Sequence, residues 1–99
     1  MILNDSYEYR LIDAEVTYLV GLIPNGNEVT KNFISVGKPL ENPHLQLKDS
    51  NGEIMNIKLI QIKSEYIASA SFGGYLFGLR LAPMKNDNKK HSLYIRKII

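Results

Sequence analysis

Few residues in this chain have the type and spacing that chemistry requires. Asp13 and Glu15 are two apart, which on an extended strand places both carboxylates on one face. Paired carboxylates are the minimum for acid–base work, and a solvated strand surface is the plainer reading. His44 and His91 stand alone, with no second donor at metal-ligand spacing. Lys89 and Lys90 beside His91 would repel a cation, so both histidines read as strand-surface residues. Ser64, Ser69, Ser71 and Ser92 occur in plain strand or loop contexts, without a strand–serine–helix elbow. The chain has no cysteine, which removes disulfides, thiolate zinc sites and cysteine nucleophiles together. Gly73, Gly74 and Gly78 do not form a dinucleotide fingerprint, because that motif opens a helix. The sequence thus leans away from an enzyme and marks no catalytic residue, metal ligand or cofactor site.

Recognition is the remaining chemistry. Over residues 80–99, Arg80, Lys85, Lys89, Lys90, Arg96 and Lys97 face only Asp87, whereas over residues 1–15 Arg10 faces Asp5, Glu8, Asp13 and Glu15. The net charge of +2 is too small to argue for a nucleic-acid partner by itself. The asymmetry has two readings: neighbouring strands with complementary cross-strand charges, or a basic binding surface. Six tyrosines occur without a tryptophan. Tyrosine in a small β-domain usually caps the core with its hydroxyl in water. The sharper reading is a stacking platform for single-stranded nucleic acid, with Tyr94 beside Arg96 and Lys97. The candidate binding surface is therefore Arg80, Lys85, Lys89, Lys90, Tyr94, Arg96 and Lys97.

The elements that must position these residues are strands. At 99 residues, 44% hydrophobic and 22% charged, the chain has room for one core and an ordinary globular composition, so residues 1–99 read as one domain. Met1–Asp5 shows no basic region followed by an apolar run, so no signal peptide is expected, nor is any apolar run long enough for a membrane span. With no cysteine, a reducing, cytoplasmic setting is expected.

Tyr75, Phe77, Leu79 and Leu81 alternate with Leu76, Gly78, Arg80 and Ala82, a period of two that makes residues 75–82 a strand with one core face. Gly78 reads as a tight bend in it, where an added side chain would be strained, and Arg80 as a surface partner for an acid. Residues 7–20 read as one long strand, with a short helix over 9–15 as the alternative. Pro24-Asn25-Gly26-Asn27 carries hairpin chemistry, which predicts that Leu19–Ile23 pairs with Glu28–Thr30. Residues 33–37 form a strand, and two prolines make 38–43 a surface connection. His44–Lys48 alternates, Asp49–Gly52 turns, and Glu53–Lys63 continues as strand with a phase shift between Ile57-Leu59 and Ile60-Ile62 that predicts a bulge or two-sided burial. Residues 67–72 lead to the Gly73-Gly74 turn. Met84–Lys90 reads as a polar loop, and His91–Ile99 as the last strand. The sum is a small all-β barrel or sandwich.

Two segments carry a likeness to a known family. Ile34-Ser35-Val36-Gly37-Lys38-Pro39-Leu40-Glu41 resembles the strand and turn "I-x-V-G-D-x-V" of the second domain of translational GTPases such as elongation factor Tu. Gly74 with Phe77-Gly78-Leu79-Arg80-Leu81 resembles that domain's "G-D-x-V-G-L-x-L" strand, and Asn56–Ile62 stands where the family has a further strand. Order and rough spacing agree over residues 33–98. Lys38 and Pro39 depart from the acidic residue and its neighbour. Val20-Gly21-Leu22-Ile23-Pro24 replaces the family's glycine-rich stretch, which argues against contact with aminoacyl-tRNA. The resemblance implies a closed or nearly closed antiparallel barrel of six to seven strands, and a role in contacting RNA, protein or another domain. The expected function is a non-enzymatic binding module that contacts RNA or a translation-related assembly through its basic C-terminal part. The alternative is a small protein-interaction or inhibitor-type protein, using Lys38–Pro43 or Ile98-Ile99 and no nucleic acid.

Overall fold

Alternating burial is clear in two of the long strands. In β1, Tyr7–Asp13, the odd residues Tyr7, Tyr9, Leu11 and Asp13 point inward. In β8, Tyr75–Met84, so do Phe77, Leu79 and Leu81. The computed structural model describes residues 6–23 and 29–98. They contain β1, β2 (Val16–Ile23), β3 (Val29–Ser35), β4 (Pro43–Lys48), β5 (Ile54–Lys58), β6 (Ile60–Ile62), β7 (Glu65–Phe72), β8 and β9 (Asp87–Ile98). The fold is all-β, and the nine strands among the described residues exceed the six or seven expected. None of the described residues forms a helix, so none forms one that could cross a membrane.

The strands form two antiparallel sheets, a four-stranded one ordered β2-β1-β4-β5 and a five-stranded one ordered β3-β9-β8-β7-β6. Inward side chains of both sheets meet in one core that includes Leu11, Leu45, Leu47, Phe77, Leu81, Leu93 and Ile95. The acidic start and basic end of the chain are not cross-strand neighbours, because β1 and β9 belong to different sheets.

Four departures from the sequence expectations have local causes. The long strand over 7–20 is a hairpin: Asp13 pairs with Val16, and Ala14 occupies the left-handed region at φ 53° without the usual glycine or asparagine. The helical alternative for 9–15 is excluded by the same ladder. Among the described residues the flanks of Pro24–Asn27, Leu19–Ile23 and residues 29–30, do not pair with each other; β2 pairs β1 and β3 pairs β9. The turn residues themselves fall outside the described residues. The phase shift after Ile57 is a corner at which the chain leaves one sheet for the other. Leu59 is buried there, and its N–H donates to the Pro43 carbonyl at 3.0 Å. Finally, the polar run 84–90 is not a loop. Met84 pairs with Asp87 around a tight turn, and β9 runs for 12 residues.

Glycines mark where the sheets touch. Gly73 and Gly74 have φ of 61° and 84°, the two positive values that a two-residue hairpin turn requires. A side chain at Gly73 would also collide with the Tyr7 hydroxyl, which donates to the Gly73 carbonyl at 3.4 Å. Gly78, by contrast, has no positive φ and nothing within 4 Å of the space a Cβ would fill, so the tight bend expected there is absent. Gly73→Ala should therefore destabilise the fold by about 1–3 kcal/mol, whereas Gly78→Val should shift stability by no more than about 0.5 kcal/mol. Thermal melts of the two variants would separate a real close approach from an open strand position.

Candidate functional site

The outward residues of the five-stranded sheet line up in cross-strand rows. Ile60, Ile67, Arg80, Tyr94 and Lys31 are successive partners across β6, β7, β8, β9 and β3. The next row holds Ser69, Gly78, Arg96 and Val29, and on the other side Ala82, Ser92 and Phe33 align. Tyr94 is half-buried at the centre of this face. The Arg80 guanidinium carbon lies 5.6 Å from its ring centroid and the Lys31 Nζ 5.5 Å. Lys31 also approaches the Phe33 ring at 5.2 Å. These are cation–π distances, and Phe33 remains 55% exposed. Gly78 contributes no side chain, so the surface between Ser69 and Arg96 dips.

Charge on this face is one-sided. The rows hold no carboxylate, and Glu65, at the start of β7 opposite Ile62, is committed to Arg80 at 2.6 Å and 3.2 Å in a two-pronged contact. The Arg80 guanidinium holds the Glu65 carboxyl below its usual range. This is the surface partner expected for Arg80, and such an exposed pair adds little stability. Lys31, Lys90 and Arg96 make no ion pair among the described residues. Lys90 lines a shallow groove with Phe33, Ser35 and Met84.

Of the seven residues that the sequence nominated, Arg80, Lys90, Tyr94 and Arg96 belong to this face. Lys85 sits in the β8–β9 turn. Lys89 is exposed but belongs to a different surface, with its backbone carbonyl accepting from Val36 N–H at 2.7 Å. Lys97 is a correction: it is buried, only 3% exposed, because it shares the inward parity of Leu93 and Ile95. Its Nζ lies 4.5 Å from the Tyr75 centroid and 5.9 Å from that of Tyr7. Lys31 and Phe33 were missed, since β3 reaches β9 only through long-range pairing.

The remaining candidates resolve differently. Asp13 and Glu15 do not share a face. The Asp13 carboxylate is buried and accepts the N–H groups of Glu41 at 3.0 Å and Asn42 at 2.8 Å, fixing the proline-rich connection, while Glu15 is exposed in the turn. His91 is no surface residue. It is 7% exposed and forms part of a cavity wall, and its Nδ1 has no protein partner. The inward parity of 91, 93, 95 and 97 was the available signal. Among the described residues no group of three or more histidine, cysteine, aspartate and glutamate side chains converges to hold a metal.

Comparison of the chain with protein-family models, curated proteins and solved structures finds no match.

Burial pushes the His91 imidazole below its ordinary value of 6.5. The unfolded chain then binds a proton that the folded chain resists, so stability falls as pH drops below about 6.5 toward the folded value and is flat above it. Urea midpoints at pH 7.5 and 5.5 should show this loss in the native protein, and a smaller loss in His91→Gln.

Proposed function

We propose that this chain is a non-enzymatic binding module that takes single-stranded RNA on the outer face of its five-stranded sheet. The observation that carries the reading is Tyr94 set between Arg80 and Lys31, with Phe33 and Arg96 beside them. Aromatic rings stack on bases without regard to sequence, and long cationic side chains swing from a ring to a phosphate. A sheet face also holds its side chains at spacings near those of successive bases in an extended strand. The module would act in the cytoplasm, in contact with a translation-related assembly.

The likeness to the second domain of translational GTPases belongs with this proposal. Following the ladders gives the order β2-β1-β4-β5, a corner, then β6-β7-β8-β9-β3. Closing β3 onto β2 would make a barrel. Support for that closure comes from Tyr9 of β1, whose hydroxyl accepts a hydrogen bond from the Asn32 amide of β3.

A second reading, a protein-interaction module without nucleic acid, is favoured by one observation. Ile60, Ile62 and Ile67 are all exposed at the β6 edge, where apolar edge strands invite a partner.

Fluorescence anisotropy with a labelled single-stranded RNA of mixed sequence distinguishes the two. Affinity should fall with salt at a log–log slope of about −0.7 per phosphate contacted. Tyr94→Ala should cost about 1–3 kcal/mol, and Arg96→Glu should weaken binding and flatten the salt slope. No binding at low salt, or binding indifferent to both substitutions, would overturn the RNA reading.

A further inference from the structure

Away from the RNA face, at the end of the sheets where β9 begins, a cavity of about 370 Å³ opens between the proline-rich connection, the β6–β7 hairpin and β9. Its apolar lining includes Val36, Leu40 and Pro83. Its charged lining is Lys38 and Lys89, both exposed, and no carboxylate lines it. Two acids adjoin the wall: Asp87, whose carboxylate accepts the Lys89 backbone N–H at 3.0 Å, and Asp13, which already accepts two backbone N–H groups and adds to burial, the larger cause, in raising the Tyr66 hydroxyl pKa. Tyr66 itself donates to the Leu40 carbonyl at 3.0 Å, so its hydroxyl proton is committed.

His91 is the unexplained member. A buried ring nitrogen without a partner is uncommon, because the unmet hydrogen bond costs free energy. His91 lines the cavity, and a half-turn of its ring about the Cβ–Cγ bond exchanges the positions of Nδ1 and a carbon edge. A small ligand seated against the ring would supply the missing partner. The lining says what kind. Two lysines and no carboxylate in the lining favour an anion, held by point charges on flexible stems without the fork that arginine would give. The apolar floor and a volume within the range of small-molecule sites favour an organic body behind that anion.

We propose that this cavity binds a small organic anion, its carboxylate or phosphoryl group held by Lys38 and Lys89 and its apolar body seated on Val36, Leu40 and Pro83 beside His91. This site goes beyond the RNA reading and stands or falls separately from it.

The test is an NMR titration of the full chain with three probes: benzoate, phenyl phosphate and uncharged benzamide. Amide shifts of Gly37, Gln61 and Asn88, and the ring nitrogens of His91, report on the cavity. Saturable shifts there with benzoate or phenyl phosphate, and weaker ones with benzamide, are expected. Whichever anion binds tighter identifies a carboxylate or a phosphoryl ligand class. Lys38→Gln combined with Lys89→Gln, both exposed and so compatible with the fold, should weaken the anion by roughly tenfold. Equal binding of benzamide would overturn the anion assignment. Shifts confined to Tyr94 and Arg96, or no saturable shift with any probe, would overturn the site.

Discussion

The structure depends on two tyrosines of β1 that reach from one sheet to the other. Tyr7 packs edge-on against Phe72, Tyr75 and Phe77, with centroids 5.1 to 6.0 Å apart, and its hydroxyl meets the Gly73 carbonyl. Tyr9 lies against Gly21, where a Cβ would fall 2.7 Å from the ring, and its hydroxyl accepts from Asn32 on the opposite sheet. Each ring needs a glycine to lie against, one in the neighbouring strand and one in the β7–β8 turn. Edge-to-face aromatic pairs add about 0.5–1.5 kcal/mol beyond area burial. The larger effect is geometric: a polar hydroxyl at the far end of each buried ring fixes how the two sheets face one another. Burial raises the Tyr9 hydroxyl pKa, and the Asn32 bond opposes that rise in part, so the ring stays neutral in the core.

Lys97 completes the Tyr7 cluster. Its position is dictated by alternation, two residues beyond Ile95, and a hydrophobe would be the ordinary choice. The aromatic rings make a cation tolerable, because their faces carry negative quadrupole density and the four-carbon stem adds apolar contact. Lys97 is therefore part of the packing between the sheets, while Arg96, one residue earlier, belongs to the outer face. A single strand separates two adjacent cations into unrelated roles.

The legible part of the fold was whatever one-sided burial writes into the chain. The alternation in Tyr75–Leu81 gave β8 its core face, and Arg80, the odd polar member, took the acidic surface partner that its parity required. The Gly73-Gly74 and Asp49–Gly52 turns were legible because positive φ at Gly73, Gly74 and Gly52 demands a residue without a side chain. The turn at Ala14 was not, since alanine carries no such mark and the surrounding ladder imposes the strain. The first third of β9 was misread because Asp87–Lys90 is polar, yet strand formation there is set by the Met84–Asp87 pairing around the turn and, at Lys90, by the ladder to β3, not by side chains. The binding face was half visible: Arg80, Tyr94 and Arg96 come from the C-terminal third, but Lys31 and Phe33 join them only through a pairing some sixty residues away in sequence, which no local pattern encodes.

β9 shows how one register serves two surfaces. Lys90, Tyr94 and Arg96 face out from it, and His91, Leu93, Ile95 and Lys97 face in, with His91 at the cavity and Lys97 in the aromatic cluster. Ladders to β3 and β8 hold this strand on both sides, the kind of rigid element on which side chains stay placed. A slip of one residue would exchange the two sets completely, burying Arg96 and exposing Leu93. The irregularity that the β8–β9 pair does contain lies between Pro83 and Met84, which leaves residues 88–90 without β8 partners while Lys90 stays paired to Ser35 of β3. From His91 onward the β8–β9 register is continuous to Ile98. Leu93 and Ile95 thus do more than fill the core: by making a slip costly, they keep the outward aromatic and basic residues in register with Lys31 and Phe33.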